Sequence, residues 1–337
     1  MLNEWLSEIL ATGVINPSGL DLAKKAALAD SLRAKTFNIT PINVDAVIQK
    51  KLQLLPLVFP KIGEFCESKL QMSHQKMLQM LWDLWLPLGI DLASKRQNLD
   101  RPMIQGILGG QGTGKTTMSH ILSLILQDWG YQTLSLSLDD LYKTYSDRLK
   151  LKQDDPRLIW RGPPGTHDIN LGLTLFEQIR QGKSPFTVPR FDKSAHGGEG
   201  DRATPEIINN IDIILFEGWF VGVQPISPDI FTTAPPPIIT EEDREFARDM
   251  NERLKEYLPL WEFLDGLIVL YPRDYRYSLA WRKQAEKQMI AAGKSGMSDT
   301  QIEEFVYYFW RSLHPELFIK PLINSPSVNL VITDYRD

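Results

Sequence analysis

Residues 109–116 read Gly109-Gly110-Gln111-Gly112-Thr113-Gly114-Lys115-Thr116, which fits the spacing G-x-x-x-x-G-K-[ST]. Each residue type there serves the holding of phosphate. The glycines let backbone N–H groups turn inward around phosphate oxygens, where a Cβ would collide. Lys115 is a point charge for the β- and γ-phosphates, and the Thr116 hydroxyl suits Mg²⁺. The apolar run Met103–Leu108 lies directly before the glycines, and a helical pattern from Thr116 to Trp129 lies directly after. Such a helix aims its unsatisfied N–H groups at the anion. A Gly-rich turn with an incidental lysine would not need either flank. The expected nucleotide-binding set runs from Gly109 through Thr116 to Thr117.

Two acidic signals follow. A second apolar run, Thr133–Leu138, ends in Asp139-Asp140-Leu141-Tyr142, and a third, Ile211–Phe216, ends in Glu217-Gly218. In a parallel sheet the carboxyl ends of strands face the ligand crevice. Asp139 is therefore placed to take a proton from an attacking hydroxyl, to hold Mg²⁺, or both. The plainer alternative is a strand-ending turn, which aspartate favours. Glu217 at the end of an apolar strand fits the Walker B pattern, in which the acid reaches Mg²⁺ directly or through water. The expected metal set is Thr116, Asp139 and Glu217.

Between those strands lies a polar segment, about 143–205, rich in Gly, Pro and charge. Arg161, Arg190 and Lys193 are candidates to pair with a substrate carboxylate, arginine in bidentate fashion. Surface ion pairing is the alternative for each. His167 either meets substrate or only satisfies local backbone. Asp140 and Tyr142 complete the expected substrate-facing set. Residues 273–294 carry Arg273, Arg276, Arg282, Lys283, Lys287 and Lys294, followed by a flexible Gly-containing stretch and a Ser298…Gln301 capping box. A basic element of this kind suits a lid, about 273–300, that brings Arg282 or a neighbour onto a transferring phosphate. A solvated helix with an Arg282–Glu286 pair is the alternative. The cluster Phe305, Tyr307, Tyr308, Phe309 and Trp310 reads as core packing.

The elements that must position these residues are legible in outline. Residues 1 to about 100 follow a helical period, as at Leu2, Leu6, Ile9 and Leu10, and Pro41, Pro56, Pro60 and Pro87 punctuate them. From about 101, apolar runs alternate with helical ones, with Leu267–Leu270 and Val328–Ile332 as the fourth and fifth strands. Thr240 is a plausible N-cap for a charged helix from Glu241 to about Tyr257. The expected architecture is α/β: a five-stranded, mostly parallel sheet flanked by helices in a domain over 101–337, preceded by a helical extension over 1–100.

A net charge of −5 argues against nucleic acid or an anionic membrane as partner. The apolar stretch 77–93 is broken by Asp83, Pro87 and Asp91, too short between charges to span a bilayer. Cys66 is the single cysteine, so no intrachain disulfide forms, which fits a reducing compartment. The N-terminus lacks a basic run before an apolar core, and the expected location is cytoplasmic.

The motifs GGQGTGKTT, SLDDLY, RGPPGTHD, VPRFDKSAHGGEGDR, LFEGWFVGV, WRKQAE and GKSGMSD together resemble D-glycerate 3-kinases of the plant and cyanobacterial type. That family sits in the uridine kinase, pantothenate kinase and phosphoribulokinase group, with the P-loop NTPase fold. The resemblance covers roughly residues 100–335. It implies ATP- and Mg²⁺-dependent phosphorylation of D-glycerate to 3-phosphoglycerate, a step of photorespiratory salvage in photosynthetic organisms. It also implies that Asp139 is the base and Mg²⁺-associated acid and Glu217 the Walker B acid, and it places Arg282 in the lid region; with Lys115, Arg282 is the expected catalytic cation. Competing readings are a kinase for a nucleoside, pantothenate or sugar phosphate, and a regulatory P-loop ATPase. The substrate segment offers few aromatics for base stacking, Phe186 and Phe191 among them, and no Asn-Lys-x-Asp motif for guanine occurs.

Overall fold

The computed structural model describes residues 2–291, 293 and 296–333. The chain divides into two compact units: residues 1–100 with 117–133, and residues 101–116 with 134–337.

The first unit is helical. Pro17 opens the helix Pro17–Ala29, capped by the Asn16 side chain, which accepts from Gly19 N at 2.7 Å. The longest helix, Val44–Leu70, runs straight through Pro56 and Pro60, so these two prolines do not punctuate as expected. Each costs about 3 kcal/mol in a helix interior. Both lie on the exposed face, where water can take the freed carbonyls, while Ile48, Leu52, Leu55, Val58 and Ile62 bury the other face. Segment 74–97 is helical throughout, with a π-helical turn at Leu81–Trp85. The helix after the glycine loop, Lys115–Asp128, buries Ile121, Leu122, Ile125 and Leu126. Within this unit its His120 ring lies 4.4 Å from Phe65, Asp128 pairs with Lys61, and Ile125 packs so closely on Gly89 that a Cβ there would fall at 2.6 Å. Gly130, at φ +91°, closes the turn after it.

In the second unit, nine strands are described: β1 (Met103–Gly109), β2 (Thr133–Ser137), β3 (Phe186–Val188), β4 (Phe191–Asp192), β5 (Asp201–Arg202), β6 (Glu206–Ile208), β7 (Ile213–Gly218), β8 (Gly266–Leu270) and β9 (Val328–Ile332). Five of them make one parallel sheet in the order β2-β7-β1-β8-β9. Strands β1, β7 and β8 are buried along their whole length, which explains why their sequences run apolar without alternation. Asp265 anchors the start of β1: it accepts from Ile104 N at 2.8 Å and pairs with Arg101 at 2.6 Å. The fully buried Phe176, on helix Ile169–Arg180, meets Phe216 of β7 edge to face at 5.2 Å.

The segment between β2 and β7, expected as loop, is more ordered than its composition suggests. It contains helices Tyr145–Asp154 and Ile169–Arg180 and two small antiparallel ribbons, β3–β6 and β4–β5. The second helix was masked by its polar face, yet Asp168 caps it by accepting from Leu171 N at 3.1 Å. Thr240 and Ser298 form capping boxes with Asp243 and Gln301, opening helices Glu241–Arg253 and Asp299–Ser312. The basic helix spans Tyr277–Ala291. Lys294, expected on this basic element, lies outside the described residues.

Candidate active site

The glycine loop begins where β1 ends. A Cβ on Gly109 would lie 2.5 Å from Thr113 Oγ1 and 3.1 Å from Leu270 Cβ, so the loop closes tightly only without one. Gly112 and Gly114 take φ of +74° and +89°, the left-handed region glycine favours. Inside the turn the buried Thr113 hydroxyl donates to Gly110 O at 2.8 Å. Lys115 Nζ donates to the same carbonyl at 3.0 Å, so its ammonium folds over the mouth of the loop. Gly110, Gln111 and Thr117 are half-buried, Thr117 on the first helical turn. The Gln111 Oε1 atom is buried without a partner among the described residues.

Parallel pairing of β1 with β7 sets Ile107 opposite Glu217 and Leu108 opposite Gly218. That register carries Glu217 to the loop, where Oε1 accepts from the Thr116 hydroxyl at 2.7 Å. Glu217 is buried, and its Oε2 has no partner among the described residues. Burial pushes its carboxyl up, against the pull of Lys115 and Thr116. Burial likewise pushes the Lys115 amine down, against the pull of Glu217 and Asp139. An orphaned carboxylate oxygen beside a hydroxyl is a fitting partial shell for a hard divalent cation. No group of three or more His, Cys, Asp or Glu side chains gathers for a metal among the described residues. A Mg²⁺ here would therefore draw most of its oxygens from phosphates and water.

The turn after β2, Leu138–Leu141, separates the roles of its two acids. The Ser137 hydroxyl accepts from Asp139 N at 3.2 Å, and Asp140 Oδ2 accepts from Ser137 N at 2.9 Å. Asp140 is thereby spent on the turn and on Arg190, 3.2 Å away; burial pushes it up, only partly offset by those partners. Asp139 instead meets Lys193 Nζ at 2.6 Å and the Tyr142 hydroxyl. Burial pushes the Asp139 carboxyl up, but the Lys193 ammonium and the Tyr142 hydroxyl more than reverse this, leaving it below the ordinary value.

The stretch Arg161–Asp168 runs beside this turn. Lys143 N donates to Thr166 O and Asp168 N to Leu141 O, with Tyr142 bridged to His167. The Tyr142 and His167 rings stack at 4.5 Å. His167 is 1% exposed, and burial pushes its pKa down to about 3, so the ring is neutral. Its Nδ1 lies 2.8 Å from the Tyr257 hydroxyl, which accepts from Gly165 N at 2.9 Å. With that N–H accepted, the Tyr257 proton is assigned to His167 Nδ1 and the ring proton to Nε2. That Nε2 is buried without a partner among the described residues.

The remaining expected residues fall elsewhere. Arg190 is taken up by Glu206 at 2.7 Å, by Asp140 and by Ser135 O at 3.1 Å. Arg161 donates to the carbonyls of Gly198 (2.8 Å) and Glu199 (2.9 Å), with its guanidinium 5.9 Å from the Tyr142 ring. Arg282 pairs with Glu286 at 2.9 Å and lies over the Phe305 ring, contacts that belong to the basic helix and its neighbour rather than to the glycine loop. Two positioning residues escaped the sequence reading. The buried Arg148 donates to the carbonyls of Lys143, Glu199 and Gly200, each at 2.6 Å, and Trp219 Nε1 donates to Gly162 O at 3.1 Å. Neither is marked by a motif, because Glu199 O, Gly200 O and Gly162 O are backbone carbonyls more than fifty positions away.

A glycine loop after a central parallel strand, a buried acid on the neighbouring strand and a second acid after the outer strand define the chain as a P-loop kinase. No protein-family model matches the chain. It is 32% identical over 217 residues to the chloroplastic D-glycerate 3-kinase of Arabidopsis thaliana, covering 61% of this chain and 45% of that protein. It is 30% identical over 221 residues to the uncharacterized kinase mug58 of Schizosaccharomyces pombe, covering 62% of this chain and 79% of that one. The solved structure of D-glycerate 3-kinase from Cryptococcus neoformans superimposes with a TM-score of 0.63 at 28% identity, over 74% of this chain and 93% of that one. The chain thus spans less than half the length of the plant relative and most of the two fungal ones. It belongs to the same family of P-loop kinases as mug58, and it is similar in sequence and fold to the D-glycerate 3-kinases.

Proposed function

We propose that the protein transfers the γ-phosphoryl group of ATP to the primary hydroxyl of D-glycerate, giving 3-phospho-D-glycerate and ADP. The observation that carries this reading is the convergence of Lys115, the Thr116–Glu217 pair and the Asp139–Lys193 pair at the carboxyl ends of β1, β7 and β2. Family membership supports the acceptor: two of the relatives are named as D-glycerate 3-kinases.

In this reading the backbone N–H groups of the glycine loop and Lys115 hold the β- and γ-phosphates. Thr116 and Glu217 hold Mg²⁺, which when bound neutralises charge on the phosphate oxygens. Asp139 orients the acceptor hydroxyl and takes its proton. The neutral His167, fixed by Tyr257, offers its Nε2–H to an acceptor oxygen, and Tyr142 fixes Asp139 from the side. Arg161 and Lys193 are the cations nearest the acceptor carboxylate, whereas Arg190 serves by fixing Asp140. Arg282 reaches the transferring group only if the basic helix closes and its bond to Glu286 is released. Transfer of this kind needs little covalent help, so positioning and electrostatics supply most of the rate. We assign the region 101–337 to the kinase domain, with the acceptor segment about 143–205 and the lid about 273–300.

The test is ADP release from Mg-ATP with D-glycerate, L-glycerate, uridine, pantothenate, ribulose 5-phosphate or no acceptor. Rapid release with D-glycerate and 3-phosphoglycerate as product is expected. Equal release with every acceptor and with none would remove the kinase reading and leave an ATPase.

A further inference from the structure

Among the cations that border the turn after β2, Arg148, Arg161 and Arg190 are committed to the fold. Arg148 holds three carbonyls, Arg161 two, and Arg190 holds Glu206, Asp140 and Ser135 O. Lys193 differs. It lies on the exposed stretch between β4 and β5, its side chain is 62% exposed, and its ion-pair partner is Asp139 at 2.6 Å. That pairing opposes the work assigned to Asp139. A carboxylate engaged by an ammonium is a poorer acceptor for a hydroxyl proton, and the lysine occupies space the hydroxyl needs. An acceptor with its own carboxylate removes the conflict, because a second anion can draw the flexible ammonium away.

We propose that Lys193 determines specificity by exchanging partners, from Asp139 in the free enzyme to the acceptor carboxylate in the complex, so that only an anionic acceptor releases the base. This rests on the reading of the protein as a hydroxy-acid kinase. The exchange itself breaks no covalent bond. In the step that follows, the acceptor oxygen bonds to the γ-phosphorus, and the bond from that phosphorus to the β–γ bridging oxygen breaks with its electron pair going to ADP. The hydroxyl proton passes to Asp139. Glycerol offers the same primary hydroxyl without the anion and meets the locked pair, as does water. The device therefore selects carboxylates that carry a primary 3-hydroxyl over polyols and suppresses ATP hydrolysis.

Two measurements test it. The first compares kcat/KM for D-glycerate and glycerol in the wild type, Lys193→Met and Lys193→Arg. Loss of one charge-assisted contact predicts a fall of about 100-fold for D-glycerate in Lys193→Met, together with a several-fold rise for glycerol. Lys193→Arg retains most of the preference. The second is calorimetry of D-glycerate binding without nucleotide. Asp139→Asn frees Lys193 and should bind several-fold tighter than wild type, and adding Lys193→Met should abolish that gain. Equal slowing of both acceptors in Lys193→Met, or a gain that survives in the double variant, would overturn the exchange. A wild type that binds D-glycerate without phosphorylating it would sink the kinase reading alone, since the calorimetry still decides the exchange.

Discussion

Lys115 and Asp139 carry opposite charges in one crevice and are expected to fail in different ways when removed. Lys115 donates to Gly110 O and is electrostatically tied to Glu217 and Asp139. Lys115→Ala removes the charge proposed to meet the phosphates. It should lower kcat by about 10²–10³, the usual scale for losing one preorganised electrostatic contact. Steady-state kinetics on a variant with wild-type circular dichroism checks this, and near-normal turnover would refute the glycine-loop assignment. Asp139→Asn preserves shape and hydrogen bonding but removes the proposed base. It should lower kcat by about 10²–10⁴ with little change in KM for ATP. A rise in the KM for ATP with kcat intact would make Asp139 a binding residue instead.

At the scale of elements, the stretch Arg161–Asp168 depends on His167 remaining neutral. The ring is wedged among Tyr142, Phe220 and Tyr257, with Nδ1 on the Tyr257 hydroxyl. Its pKa is about 3 in the folded chain against about 6.5 in an unfolded one. Between those values the unfolded state binds the extra proton and the folded state does not. Stability therefore falls as pH drops from about 6.5 toward 3, at up to about 1.4 kcal/mol per pH unit from this group. Denaturant unfolding at pH 7 and pH 5 should show a smaller acid loss in His167→Phe than in wild type. An identical loss in both would exclude His167 as the source. The glycine loop is a second element-scale constraint. Gly109→Ala would push a methyl against Thr113 and Leu270, and isothermal calorimetry should show weakened ATP binding at least tenfold, with the sheet intact.

At the scale of the whole molecule, the chain is not simply a helical front followed by a kinase. Residues 117–133, which follow directly on Thr116, group with the first hundred residues. Ile125 rests on Gly89, His120 on Phe65, and Asp128 on Lys61. A chain beginning at residue 101 would lack the packing of Gly89 on Ile125, a side chain whose burial is worth about 1.5–3 kcal/mol. Such a chain should melt at least 10 °C lower and bind ATP weakly, as differential scanning calorimetry and nucleotide titration would show. Wild-type melting and ATP affinity would mean the first hundred residues are dispensable to the glycine loop.

The sequence by itself determined the features whose causes are local. The glycine loop, the five apolar runs, the Thr240 and Ser298 caps and the turn through Asp139 and Asp140 each depend on neighbours within a few residues, so spacing and residue type suffice to read them. Tertiary structure decided whatever depends on distant partners. The order β2-β7-β1-β8-β9 brought Glu217 to Thr116 across 101 positions. It was also tertiary packing that let a helix continue through Pro56 and Pro60. Asp139 and Asp140 are indistinguishable as letters. Only the fold gave one to Arg190 and the other to Lys193, because ion pairs form with whatever side chains the packed chain brings close.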